Sequence, residues 1–262
     1  MPPALVRLRA ITIVQGPESR FSMSTPSTPS IAPASRIFCA VDTTDLDTAR
    51  DLGRRIAGVV GGIKLGLEFF IAHGPAGIRA VIGEDGPPLF LDLKLHDIPN
   101  TVAGGIRAAL PLKPAFLTIH TSGGPAMMRA AAEAAASAGE DRPKILAVTV
   151  LTSMDAADLQ AVGQSVPVAD QVKRLALLAK ESGVDGVVCS PAEVALIREA
   201  CGPDFILMVP GIRPAWAAAN DQKRVMTPAE ALAAGADHLV IGRPITGDAD
   251  PEAAARRIVS EL

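Results

Sequence analysis

Beyond Arg36 the chain repeats one pattern: a short apolar run, then an Ala- and Leu-rich stretch with apolar residues at helical spacing, with Gly or Pro at the joins. Short apolar runs bounded by turn residues predict buried strands, and longer stretches with a 3.6-residue period predict amphipathic helices. The runs place strands at Ile37–Val41, Val60–Leu65, Leu89–Leu93, Ala115–Ile119, Ile145–Val150, Gly186–Cys189, Phe205–Val209 and His238–Ile241. Helices are predicted over 45–57, 67–82, 101–110, 125–138, 155–181 in two pieces, 191–201, 228–234 and 250–261. Strict alternation implies parallel strands with right-handed crossovers, and eight such units close a (β/α)8 TIM barrel, an α/β fold of one domain. An open doubly wound sheet is the other arrangement of such a pattern, but no Gly-x-Gly-x-x-Gly follows the first strand.

Residues 1–35 follow another rule. Ser22–Ser35 reads Ser-Met-Ser-Thr-Pro-Ser-Thr-Pro-Ser-Ile-Ala-Pro-Ala-Ser, with too few apolar side chains to offset the entropy of ordering them. The expected division is a flexible Ser/Thr/Pro-rich extension over 1–35 and a barrel over 36–262. Arg7, Arg9 and Arg20 against Glu18 alone give the extension a faint likeness to an organellar transit peptide. A start at Met23 is the plainer account, and a disordered tail with a role of its own is the third.

Composition narrows the setting. At 262 residues and 48% hydrophobic, the chain can bury a substantial core. The net charge of −3, with scattered Lys and Arg, argues against a nucleic-acid face or a basic membrane surface, so an anionic substrate must be met by local groups. Cys39, Cys189 and Cys201 lack metal-ligand spacing and are odd in number, which fits reduced, buried thiols in a cytoplasmic protein. No apolar run is long enough for a membrane-spanning helix.

Candidate chemistry concentrates in Phe90–Thr101, Phe-Leu-Asp-Leu-Lys-Leu-His-Asp-Ile-Pro-Asn-Thr. Alternate strand residues share a face about 6–7 Å apart, so Asp92 and Lys94 should project together, away from Leu91, Leu93 and Leu95, with Asp97 just beyond. An internal ion pair is the bland account, yet a pair removed from water stabilises little compared with apolar packing. Polar residues also follow other strands: Asp42 after the first, Lys64 at the second, Thr152 and Ser153 after the fifth, Arg213 after the seventh, Gly242 and Arg243 after the eighth. In a barrel all of these face the C-terminal mouth, where catalytic groups sit and where the loops after strands seven and eight often hold phosphate. Glycine lets backbone N–H groups approach an anion and a guanidinium supplies paired donors, which makes Gly242 and Arg243 the main phosphate candidates. His73 and His120 belong to no metal-binding cluster in the sequence and read as structural, as does His96. Trp216 reads as packing or solvent-facing.

The stretch Asp92, Lys94, His96, Asp97, Ile98, Pro99, Asn100, Thr101 resembles the signature of the orotidine 5′-monophosphate decarboxylase family, Asp-x-Lys-x-x-Asp followed by Ile-Pro-Asn-Thr. From about Ile37 onward the chain is similar to the bacterial form. Asp-x-Lys-x-x-Asp alone also occurs in magnesium-dependent sugar-phosphate decarboxylases or aldolases on the same barrel; the His-Asp-Ile-Pro-Asn-Thr continuation separates the two. The resemblance implies a homodimer with composite sites, in which Lys64, Asp92 and Lys94 of one subunit meet Asp97 of the other. It implies that Asp42 and Lys64 bind ribose hydroxyls, that Thr101 approaches the ribose and phosphate from the partner, and that Thr152 and Ser153 read the pyrimidine. Gln222 would reach both phosphate and pyrimidine, and Arg213 would belong to a mobile loop over about 210–223. Lys94 would protonate C6 of the substrate, orotidine 5′-monophosphate, with no metal or cofactor. A catalytically silent nucleotide-binding barrel is the remaining reading, and it should lack one of the four charged residues.

Overall fold

The pleat of each strand sends one set of side chains inward and the other toward the helices, and in this protein both sets are apolar except toward the C-terminal ends of the strands. In the computed structural model, which describes residues 32–84, 86–164, 167–217 and 226–262, the first described element is a 3-10 turn at Pro33–Arg36. It continues as β1 Ile37–Ala40, α1 Leu46–Ile56, β2 Gly62–Gly66, α2 Leu67–Ile82, β3 Leu89–Leu95, α3 Pro99–Ala109, β4 Phe116–His120, α4 Gly124–Ala136 and β5 Lys144–Val148. Then come α5 Ala156–Ala161, α6 Val168–Glu181, β6 Gly186–Val188, α7 Val194–Cys201, β7 Ile206–Val209, α8 Pro228–Ala233, β8 His238–Ile241, α9 Arg243–Thr246 and α10 Pro251–Ser260. The eight strands are parallel and form a closed barrel in sequence order, with β8 paired back onto β1. The expected (β/α)8 barrel is therefore the fold. The expected extension over 1–35 falls outside the described residues as far as residue 31.

The helix-facing set, including Ile37, Cys39, Ile63, Leu65, Leu91, Leu117, Ile145, Val187, Leu207 and Leu239, forms the large core between barrel and helices. The inward set of Phe38, Ala40, Phe90, Phe116, Leu146, Met208 and Val240 fills the barrel itself. Phe38, Phe90 and Phe116 meet edge to face at centroid separations of 5.2 to 6.1 Å, an arrangement that suits the ring quadrupoles. Gly62 lies opposite Phe38 in the β1–β2 ladder. A Cβ at residue 62 would stand 2.3 Å from Pro88 O and 2.5 Å from the Phe38 ring, so glycine there makes room for the aromatic layer.

At the N-terminal end of the barrel, carboxylates tie neighbouring strands together. Asp185 accepts from Ile145 N at 2.9 Å and from Arg142 and Lys144, while Asp237 accepts from Leu207 N at 2.8 Å and from Arg198. Groups at this end serve stability, which leaves chemistry to the opposite mouth.

Two helices differ from expectation. α2 is broken at Gly74, whose φ is 57°, ahead of Pro75, because the proline ring restricts the residue before it and cannot sit inside an unbroken helix. α9 occupies four residues after β8 where a loop was expected.

Candidate active site

Two residues beyond the inward aromatic ring, the inward positions change character. Phe90 is followed by Asp92, Phe116 by Thr118, Gly62 by Lys64, and Ala40 by Asp42, so an apolar floor carries a charged layer at the C-terminal mouth. β3 builds its centre. Its register against β4 runs Leu91↔Leu117 and then Leu95↔Ile119, so four residues of β3 span two of β4, a bulge of the kind that re-aims side chains beside functional sites. Lys94 lies in the bulge at φ 49°, one of two described non-glycine residues with positive φ. Regular alternation was expected here. The bulge corrects it, although Asp92 and Lys94 do meet.

Lys94 Nζ donates to Asp92 Oδ2 at 2.7 Å, and Lys64 Nζ stands 3.8 Å from the same oxygen. Lys64 also donates to Asp42 Oδ1 at 3.0 Å. The order is carboxylate, ammonium, carboxylate, ammonium. The side chains of Asp92 and Lys64 are only 11% and 13% exposed, so this central pair has been largely taken out of water, where apolar packing would serve folding as well or better, while Lys94 and Asp42 at the ends of the array reach solvent. Thr118, absent from the sequence candidates, completes it: fully buried, it donates to Asp92 Oδ1 at 2.8 Å and accepts from Lys94 N at 2.9 Å. A cleft of about 110 Å³ opens over these groups, walled by Val41, Gly66, Leu67 and Phe69. Two ammonium groups in such a cleft can hold a substrate anion and stabilise charge that develops next to them, and an ammonium is also a proton source.

The other predicted residues that are described stand at the same end without joining the array. Asp97 is exposed, with Oδ1 accepting from Ile98 N at 2.6 Å; no ion pair among the described residues links it to Lys64 or Lys94 of its own chain. Thr101 is exposed in the first turn of α3, and Thr152 and Ser153 are exposed after β5. Gly242 packs against β1, its place for a Cβ 3.4 Å from that of Ala40, and Arg243 follows, exposed, at the start of α9. Arg213, expected on a mobile loop, is 5% exposed, and its amide donates to Met226 O at 3.2 Å. Gln222 lies outside the described residues.

The remaining singled-out residues make no hydrogen bond or ion pair with the array among the described residues. His73 contacts Thr44 O at 2.7 Å. His120 and His96 have rings 5.5 Å apart, and burial, with His96 and Lys94 nearby, lowers the His120 pKa. Trp216 donates to Glu261 and lies under the Arg257 guanidinium. The three cysteines are free and buried. Among the described residues no group of three His, Cys, Asp or Glu is placed to hold a metal ion, and no helix is long and apolar enough to cross a membrane.

A closed parallel barrel with an alternating lysine–carboxylate array at its C-terminal mouth defines a (β/α)8-barrel enzyme. A family model described as orotidine 5′-phosphate decarboxylase / HUMPS family matches residues 35–258, and the chain belongs to that family. It is 59% identical to an orotidine 5′-phosphate decarboxylase of Paramagnetospirillum magneticum over 86% of this chain and 97% of the relative. The corresponding protein of Rhodospirillum rubrum is 56% identical over 86% of this chain and 93% of its own. The crystal structure of orotidine 5′-phosphate decarboxylase from Lactobacillus acidophilus superposes with a TM-score of 0.77 at 37% identity, covering 86% of this chain and 97% of that one.

Proposed function

We propose that this chain decarboxylates orotidine 5′-monophosphate to uridine 5′-monophosphate and carbon dioxide, a step of de novo pyrimidine biosynthesis, without metal or cofactor. The observation that carries the reading is the contact of Lys94 Nζ with Asp92 Oδ2 at 2.7 Å beside Lys64 in the barrel mouth. Loss of carbon dioxide leaves an electron pair at C6 of the pyrimidine, where no adjacent carbonyl can absorb it, so stabilisation must come from fixed protein charges. Lys94 supplies a positive charge next to C6 and then the proton that replaces the carboxylate. Asp92 keeps that ammonium in place and lies beside the departing carboxylate, a like-charge contact that vanishes as carbon dioxide leaves while the Lys94 contact strengthens.

Asp42 and Lys64 bind the ribose hydroxyls in this reading, Thr152 and Ser153 the pyrimidine, Gly242, Arg243 and Arg213 the phosphate side, and Gln222 both phosphate and pyrimidine. Asp97 and Thr101 serve the neighbouring subunit of a homodimer. Support for that arrangement is the exposure of Asp97 beside Ile98, itself 67% exposed. The chemistry belongs to residues 36–262, with 1–35 an extension outside it, and the three free thiols fit a cytoplasmic location.

The deciding experiment follows the ultraviolet absorbance of orotidine 5′-monophosphate on adding purified protein, with and without a chelator. Equal loss in both arms is expected. Activity on sugar phosphates that disappears with chelator, without nucleotide turnover, would instead select the magnesium-dependent branch.

A further inference from the structure

A side chain with a Cβ is disfavoured in the left-handed backbone region and stays there only when its surroundings hold it. Lys94 stays there, at φ 49°, and one hydroxyl holds it. A threonine hydroxyl has one proton to give and lone pairs to receive. The Lys94 amide can only donate, so at 2.9 Å Thr118 Oγ1 accepts from it, and the hydroxyl proton is directed to Asp92 Oδ1 at 2.8 Å. Asp92 Oδ2 in turn takes Lys94 Nζ at 2.7 Å. The contacts close a ring: Lys94 amide, Thr118 hydroxyl, Asp92 carboxylate, Lys94 ammonium. Thr118 is wholly inaccessible, so water cannot substitute, and a valine of the same shape would fill the space equally well. Among the described residues the hydroxyl's hydrogen bonds run to the Lys94 backbone and the Asp92 carboxylate.

We infer that Thr118 is a positioning residue, which fixes the Lys94 backbone and the rotation of the Asp92 carboxylate together so that the ammonium is aimed before substrate arrives; this rests on the function proposed above. Small misplacement of a reacting group costs up to about 10²-fold in rate. Thr118→Val should therefore lower kcat about 10–100-fold, leaving KM and the affinity for uridine 5′-monophosphate within about threefold, and Thr118→Ser should stay within about fivefold of wild type. A general packing defect would move binding and turnover together and would not be rescued by serine. A folded Thr118→Val protein with kcat within about threefold of wild type, or with kcat and binding falling in parallel, overturns the inference. Should Thr118→Val not fold, comparison of Thr118→Ser with Thr118→Ala makes the same test. A crystal structure of Thr118→Val should show Lys94 out of the left-handed region or Asp92 rotated off it; both unmoved would refute the inference without reference to activity. A wild-type protein that leaves orotidine 5′-monophosphate intact refutes the functional reading instead, and the crystal structure then decides the role of Thr118 alone.

Discussion

Arg243 and Lys94 divide the substrate between them in this account, one meeting a dianion remote from the reaction and the other meeting the reacting carbon. Arg243→Ala should raise KM for orotidine 5′-monophosphate about 10–100-fold, as expected for loss of hydrogen bonds to a charged group. Slow turnover of orotidine lacking the phosphate should hardly change, and steady-state kinetics with both substrates would check this; equal damage to both would mean that Arg243 acts through structure. A second residue gives a pH signature. Burial, with Asp42 adding, pushes the Cys39 thiol up to about 12 from about 9. Below pH 9 the folded and unfolded chains both hold the proton, and the stabilisation is fully present. Between about 9 and 12 only the folded chain keeps it, so stability falls by up to about 1.4 kcal/mol per pH unit from this group. Denaturant midpoints measured across that range should fall less steeply in Cys39→Ala. The meeting of Asp92 with Lys94 was legible in the sequence because charges inside an apolar strand are costly and need a reason, whereas Asp97 stands exposed beyond β3 and outside the array. Thr118 was not legible, since a threonine in Phe-Leu-Thr-Ile-His is ordinary strand composition; its one signal is its place two residues after inward Phe116, as Asp92 follows Phe90.

Among the elements, periodicity revealed nearly all of the architecture, because parallel strands buried on both faces read as unbroken apolar runs. It missed α9, where Arg-Pro-Ile-Thr makes a single turn too short to show a period. It also missed the β3 bulge, which is a property of the pairing with β4 and leaves no mark on β3 alone. The tight β1–β2 contact is testable at Gly62. With Pro88 O and the Phe38 ring both within 2.5 Å of an added Cβ, Gly62→Ala should destabilise the barrel by about 1–3 kcal/mol, the usual range for overpacking a filled core. Chemical denaturation would measure it, and an unchanged midpoint would contradict the described packing of β2 against β1.

For the whole molecule, the proposed dimer makes a claim no single chain can satisfy. Lys94→Ala and Asp97→Ala proteins, each inactive, should regain activity when mixed under conditions that exchange subunits, because each heterodimer pairs an intact Lys94 with an intact Asp97 in one site. Random reassortment under two-fold symmetry restores about a quarter of all sites. No recovery despite demonstrated exchange would assign Asp97 to its own chain. The central claim, that Lys94 provides both the stabilising charge and the proton, is met most directly by one comparison: decarboxylation of orotidine 5′-monophosphate by wild type and by folded Lys94→Ala. One preorganised electrostatic partner is worth about 10²–10³ in rate, and Lys94 has a second role, so the variant should fall below wild type by more than about 10³; a folded Lys94→Ala protein within about tenfold of wild type would contradict the account.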